Sequence, residues 1–170
     1  NKLIKTMFIT VHAATASLLG RYINHSILAF VAGLISHFIL DMIPHGDEHL
    51  GKKFLGIKIK KGEADFKILA LYGSIDAFFL AIFLIFLFKN FEFANTNYVI
   101  WAIIGGILPD ILVAIHKLTN LRILNWFAKL HGRIHRFLIA KLPTDIPLKI
   151  GILGQICIMV ALVWIIYAIR

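Results

Sequence analysis

Three side chains of metal-ligand type, His37, Asp41 and His45, stand four residues apart in the apolar stretch 33–45. On a helix, positions i, i+4 and i+8 lie near one face, so the three share a stripe among Ile, Leu, Phe and Met. An ionisable group in such surroundings is costly unless it is paired or holds a metal. Pro44 marks the helix end, because the residue before a proline is pushed out of the α region, and His45 sits at the exit. The spacing recurs in His131-Gly132-Arg133-Ile134-His135, where two imidazoles at i and i+4 can chelate one metal from a helix. Three further candidates lie in apolar segments: His12, Asp76 after Gly73-Ser74, and Asp110 directly after Pro109. At Pro109 the missing backbone N–H leaves a carbonyl free, and such a break at membrane depth lines a cavity or is buried in protein. Each candidate also has a structural reading. The Asp–His stripe could glue two membrane helices, His12 could be a satisfied buried histidine, and Pro109 could kink a helix that Asp110 restarts.

The elements that must position these groups are membrane helices. Of 170 residues, 59% are hydrophobic, against roughly 45–50% in an ordinary soluble domain, and mean hydropathy is +0.84. Residues 1–170 read as one integral-membrane, all-α domain: four or five membrane-embedded helices plus a basic amphipathic cytoplasmic helix. A formal charge of +9 and a pI near 9.9 would suit nucleic acid, but the lysines and arginines collect in two loops and lack regularly interleaved stacking aromatics. That pattern fits the positive-inside rule, and no nucleic-acid partner is expected. The single cysteine, Cys157, lies in an apolar run, so neither a disulfide framework nor a thiolate metal knot is expected. No cleavable signal peptide is expected either, since the first apolar segment carries His12, Thr15 and Ser17.

In chain order, Met7–Leu19 is a short helix rich in small residues that permit close approach. Ser26–Ile43 is the helix carrying the His37 stripe. Phe66–Phe88 is the clearest span. Tyr98–His116 is a second, interrupted at Gly105-Gly106 and at Pro109-Asp110. Within 117–149, Leu124, Phe127, Leu130, Ile134, Phe137 and Leu138 fall at helical spacings, the pattern of an amphipathic helix lying on the membrane. Ile150–Ile169 is a last span, polar only at Gln155. The Ile57-Lys58-Ile59-Lys60 alternation could be a short strand.

The basic segments set the expected orientation. Segment 44–65 holds five lysines, and 117–149 holds seven Lys or Arg against one acid, Asp145. Both should be cytoplasmic, with 89–97 outside. Asp41 and His45 then lie at the inner end of the second helix, and Asp110 in the inner third of the fourth. Asp76 lies about 15 Å along the third. His131 and His135 lie on the inner basic helix, and His12 lies in the inner half if the first helix enters from the cytoplasm. Independent ion pairs need not agree in this way; one shared site would.

Taken together, Thr10-Val11-His12-Ala13-Ala14, Ser36-His37 through Pro44-His45, Leu108-Pro109-Asp110 and the His131/His135 pair resemble the bacterial membrane-bound metal-dependent hydrolases. These are small inner-membrane proteins, some of them described as LexA-binding. The His37/Asp41 element is also distantly similar to the zinc-dependent phospholipase C group. The order of the motifs departs from the commoner arrangement, and the expected Pro-Asp-x-Asp-His reads Pro109-Asp110-Ile111-Leu112-Val113 here. The resemblance implies a helical protein of the bacterial inner membrane with a divalent-metal hydrolase site, and no particular substrate.

A His/Asp set without thiolates favours zinc, or manganese or iron where carboxylates dominate. Such an ion acidifies water and polarises a phosphoryl or acyl oxygen. The expected ligands are His37, Asp41, His131 and His135, with His12 and Asp110 as further ligands. Asp76 or His45 is then the general base. A site at the interface beneath a basic helix suits an anionic lipid head group or a lipid-linked phosphate, and the basic residues also suit membrane lipids of an acidic leaflet. Two other classes stay open: a non-catalytic structural or lipid-binding membrane protein, and a small proton- or cation-coupled transporter using Asp41, Asp76 and Asp110.

Overall fold

The computed structural model describes residues 7–43, 63–139 and 148–169, with backbone alone for 63–69, 72, 135–139 and 148–149. Six α-helices occupy the described residues: α1 (Ile9–Gly20), α2 (Ser26–Leu40), α3 (Glu63–Asn90), α4 (Thr96–Thr119), α5 (Asn125–Ile139) and α6 (Leu148–Ala168). A single 3₁₀ turn, Arg122–Leu124, leads into α5. Stretches of α3, α4 and α6 (73–90, 96–119 and 150–168) are long and apolar enough to cross a membrane. The expected strand at 57–60 and the expected site residue His45 lie outside the described residues. Helix α2 ends at Leu40 with Asp41 as its C-cap, a few residues before Pro44. Helix α4 runs unbroken through Pro109, contrary to the interruption read from the sequence.

Helix α1 is the centre of the bundle, packing on α2, α3, α4 and α6. Its small side chains Ala13, Ala14, Ala16 and Ser17 are buried, which is what lets it meet neighbours on every side. Ala13 and Ala14 pack with Phe83, Leu87 and Phe91 of the α3 region, Val99 and Ile103 of α4, and Ile166 of α6. Ala16 meets Ala29 of α2 and Ala102 of α4.

The most extensive helix contact joins α2 to α4, and glycine makes it possible. A Cβ on Gly33 would strike the backbone of Ala102 and reach 2.9 Å from Gly106 N, while one on Gly105 would strike the carbonyl of Phe30. The opposite face of α2 presents exposed Ile27, Leu28, Val31, Ile35 and Ile39. So long an apolar stripe with no partner among the described residues is the surface expected of a helix facing lipid.

Two isolated polar residues of the apolar spans secure the start of α1. A helix N-terminus has orphan N–H groups, and the N-cap residue, Phe8, has no side chain able to take one. Gln155 of α6 accepts from Phe8 N at 2.7 Å. Asp76 of α3 accepts from Ile9 N at 2.5 Å, from Thr10 N at 3.2 Å and from the Thr10 hydroxyl at 2.7 Å. An Asp76→Ala variant is therefore expected to lose about 1–3 kcal/mol of stability, the cost of orphaning buried donors. Thermal melting in detergent should drop by several degrees. An unchanged melt would contradict the cap.

Candidate metal centre

Four helices each bring ligand-type side chains to one buried point. Helix α1 supplies His12, α2 supplies His37 and its C-cap Asp41, α4 supplies Asp110, and α5 supplies His131. None is more than 5% exposed. Two overlapping triads, His12/His37/Asp110 and His37/Asp41/His131, each place three ligand atoms within 4.8 Å of one another.

Asp41 is the hub. One of its oxygens lies 3.5 Å from His12 Nε2, and the other lies 3.3 Å from His37 Nε2 and 3.6 Å from His131 Nε2. Asp110 stands slightly farther out, 3.8 Å from His12 Nε2, 3.8 Å from His131 Nε2 and 4.0 Å from His37 Nε2. Nitrogen and oxygen ligands about 2.0–2.2 Å from a tetrahedral zinc lie about 3.3–3.6 Å from one another. The separations around Asp41 fall in that range without adjustment.

The orientation of each ring has a visible cause. His37 Nδ1 lies 2.9 Å from the carbonyl of Gly106. A carbonyl only accepts, so Nδ1 carries the hydrogen, and in the neutral ring Nε2 presents its lone pair to the cluster. A second ring nitrogen fixed on a backbone carbonyl is the usual support of a metal-ligating histidine. His131 Nε2 lies 3.1 Å from His37 Nε2, and two ring nitrogens this close share either a proton or a cation. His131 is held between Phe127, stacked at 30° and 6.4 Å, and Phe38 at 5.8 Å. The rings of His12 and His37 lie 4.2 Å apart.

The donor set fits a divalent ion on two counts. Three neutral imidazoles and two carboxylates carry a net charge that a divalent cation cancels. Neither oxygen of Asp110 accepts a hydrogen bond among the described residues, although both are buried. A buried carboxylate without such partners is heavily penalised, and an ion is one standard explanation. The set also contains no sulfur, which favours borderline or hard metals over soft ones.

Of the residues expected from sequence, His12, His37, Asp41, Asp110 and His131 converge. The side chain of His135 lies outside the described residues. Asp76 stands apart from the cluster, with both carboxylate oxygens on the start of α1. The orienting carbonyl of Gly106 and the flanking rings of Phe38 and Phe127 were not anticipated. A signal for Gly106 exists in the chain: it precedes Asp110 by one helical turn, so both lie on one face of α4. No protein-family model matches the chain, and neither a curated protein nor a solved structure does so.

Proposed function

We propose that this protein is a membrane-embedded, divalent-metal-dependent hydrolase acting on a phosphate- or ester-containing substrate carried by the membrane. One observation carries the reading: five buried ligands from four helices meet with His–Asp separations of 3.3–4.0 Å. The likeness to bacterial membrane-bound metal-dependent hydrolases supports it, as does the donor set, for which zinc is the first choice and manganese or iron the next. When bound, such an ion acidifies water and polarises a phosphoryl or acyl oxygen.

The chain's own residues divide the remaining work. His37, oriented by the Gly106 carbonyl, and His131, flanked by Phe38 and Phe127, would hold the ion. Asp41 supplies the nearer negative charge. Asp110 would complete the ligand set, its oxygens 3.8–4.0 Å from the three imidazoles and accepting no hydrogen bond among the described residues. Helix α5 brings Lys129 and Arg133 close in sequence to His131, and these suit an anionic head group. A transporter built on Asp41, Asp76 and Asp110 has less support, because Asp76 is committed to capping α1.

Elemental analysis of detergent-purified protein tests the reading. Near-stoichiometric metal is expected in the wild type, with a loss of at least about tenfold in both His37→Ala and His131→Ala, each still folded. The loaded protein should then hydrolyse phospholipid or lipid-phosphate substrates. A wild type that stays metal-free after reconstitution would overturn the proposal.

A further inference from the structure

The opposite end of α1 carries a second polar site, independent of the histidines. A cavity of about 380 Å³ lies there, walled by Gly20, Arg21, Tyr22 and Asn24 from the α1–α2 turn and by Glu92 to Asn95 and Tyr98 from the α3–α4 turn. Tyr98 and Asp110 are twelve residues apart on α4, so this cavity lies about 18 Å along that helix from the metal centre. It sits where two spans are joined by a short turn, hence at the level of lipid head groups.

Arg21 is held in place but not satisfied. Its Nη2 donates to the carbonyl of Ile169 at 2.9 Å, and its guanidinium lies 5.6 Å from the ring centre of Phe93. Its Nη1 is buried and has no hydrogen-bond partner, a costly state for a charged donor. A cation at a helix C-terminus is favoured by the helix dipole, which accounts for its position but not for the orphan nitrogen. Glu92 lines the same cavity and is exposed. Arg21 and Glu92 both line this cavity without an ion pair between them, an arrangement that suits a ligand bearing both signs.

We infer that this cavity binds a zwitterion, its phosphate or carboxylate on Arg21 and its ammonium on Glu92. Asn24 and Asn95 offer amide hydrogen bonds, and Tyr22, Phe93 and Tyr98 offer aromatic walls that also favour a cation. Two sources share this chemistry: the head group of an ethanolamine phospholipid, and a small soluble amino-phosphate or amino acid.

Calorimetric titration of the detergent-purified protein with phosphorylethanolamine and with inorganic phosphate tests the site. Phosphorylethanolamine should bind, and Glu92→Gln should weaken it at least about tenfold while leaving inorganic phosphate unaffected. Arg21→Gln should weaken both. Native mass spectrometry from mixed-lipid nanodiscs separates the sources: retention of ethanolamine over choline lipid assigns the head group, and equal retention with binding in solution assigns the soluble ligand. Absence of phosphorylethanolamine binding, or binding indifferent to Glu92→Gln, would overturn the inference. Glu92 is exposed, so that variant decides the matter even if Arg21→Gln fails to fold. Metal content should be unchanged in both variants, which keeps this result separate from the hydrolase reading.

Discussion

An Asp41→Asn variant should bind a divalent metal at least about a hundredfold more weakly than the wild type. Losing a residue that merely supports a ligand costs 10–100-fold in metal affinity, and Asp41 is a direct ligand in the proposed centre. Its two oxygens lie within 3.6 Å of all three imidazole Nε2 atoms, so it is the acid nearest to every histidine of the cluster. The amide keeps the shape and removes the charge that offsets the ion. Competition against a chromogenic chelator, with the protein in detergent, measures the effect. A second readout follows from mass action: anything that binds only the folded state raises the melting temperature. Chelator should therefore lower the wild-type melt and leave that of Asp41→Asn nearly unmoved. Asp110→Asn should lose less affinity, because its oxygens stand 3.8–4.0 Å from the same nitrogens. Wild-type affinity in Asp41→Asn would remove Asp41 from the centre.

The second large effect comes from one methyl group. Gly33→Ala should unfold or strongly loosen the bundle and empty the metal centre with it. The added Cβ would collide with the backbone of Ala102 and Gly106, and backbone cannot rotate away as a side chain tip can. Overpacking a core costs typically 1–3 kcal/mol even when side chains yield, so the cost here should be at or above the top of that range. Gly106 also carries the carbonyl that orients His37. Pushing α2 from α4 therefore moves His37 and Asp110 apart together. Gly73→Ala is the control, since a Cβ there meets nothing within 4 Å. It should be neutral, or more stable by up to about 1 kcal/mol from helix propensity. Thermal melts and metal content of the two variants make the comparison. Equal behaviour of the two would mean that α2 and α4 are not in backbone contact.

The apolar runs of the chain by themselves determined where its helices lie, because burial in lipid or protein demands long stretches without charge. Each expected helix is found, its ends shifted by a few residues at most. On the basic segment the positions read at helical spacing, 124–138, coincide with the helix Asn125–Ile139, preceded by a 3₁₀ turn. The pairing of His37 with Asp41 was equally legible, since it follows from 3.6 residues per turn alone.

What each odd polar residue does was decided only by tertiary structure. Asp76 and Asp110 look alike in sequence, single acids in apolar helices beside glycine or proline. One faces the open N–H groups of α1 and becomes their cap; the other faces three imidazoles. The difference lies in which end of a neighbouring helix each meets, and periodicity carries no information about neighbours. Pro109 shows the same limit. Its missing N–H promised a break, but α4 passes through intact because α1 and α2 pack tightly along Gly105 and Gly106. Arg21 and Glu92 stand 71 residues apart in the chain, and only the folding of two turns against each other brings them to one cavity.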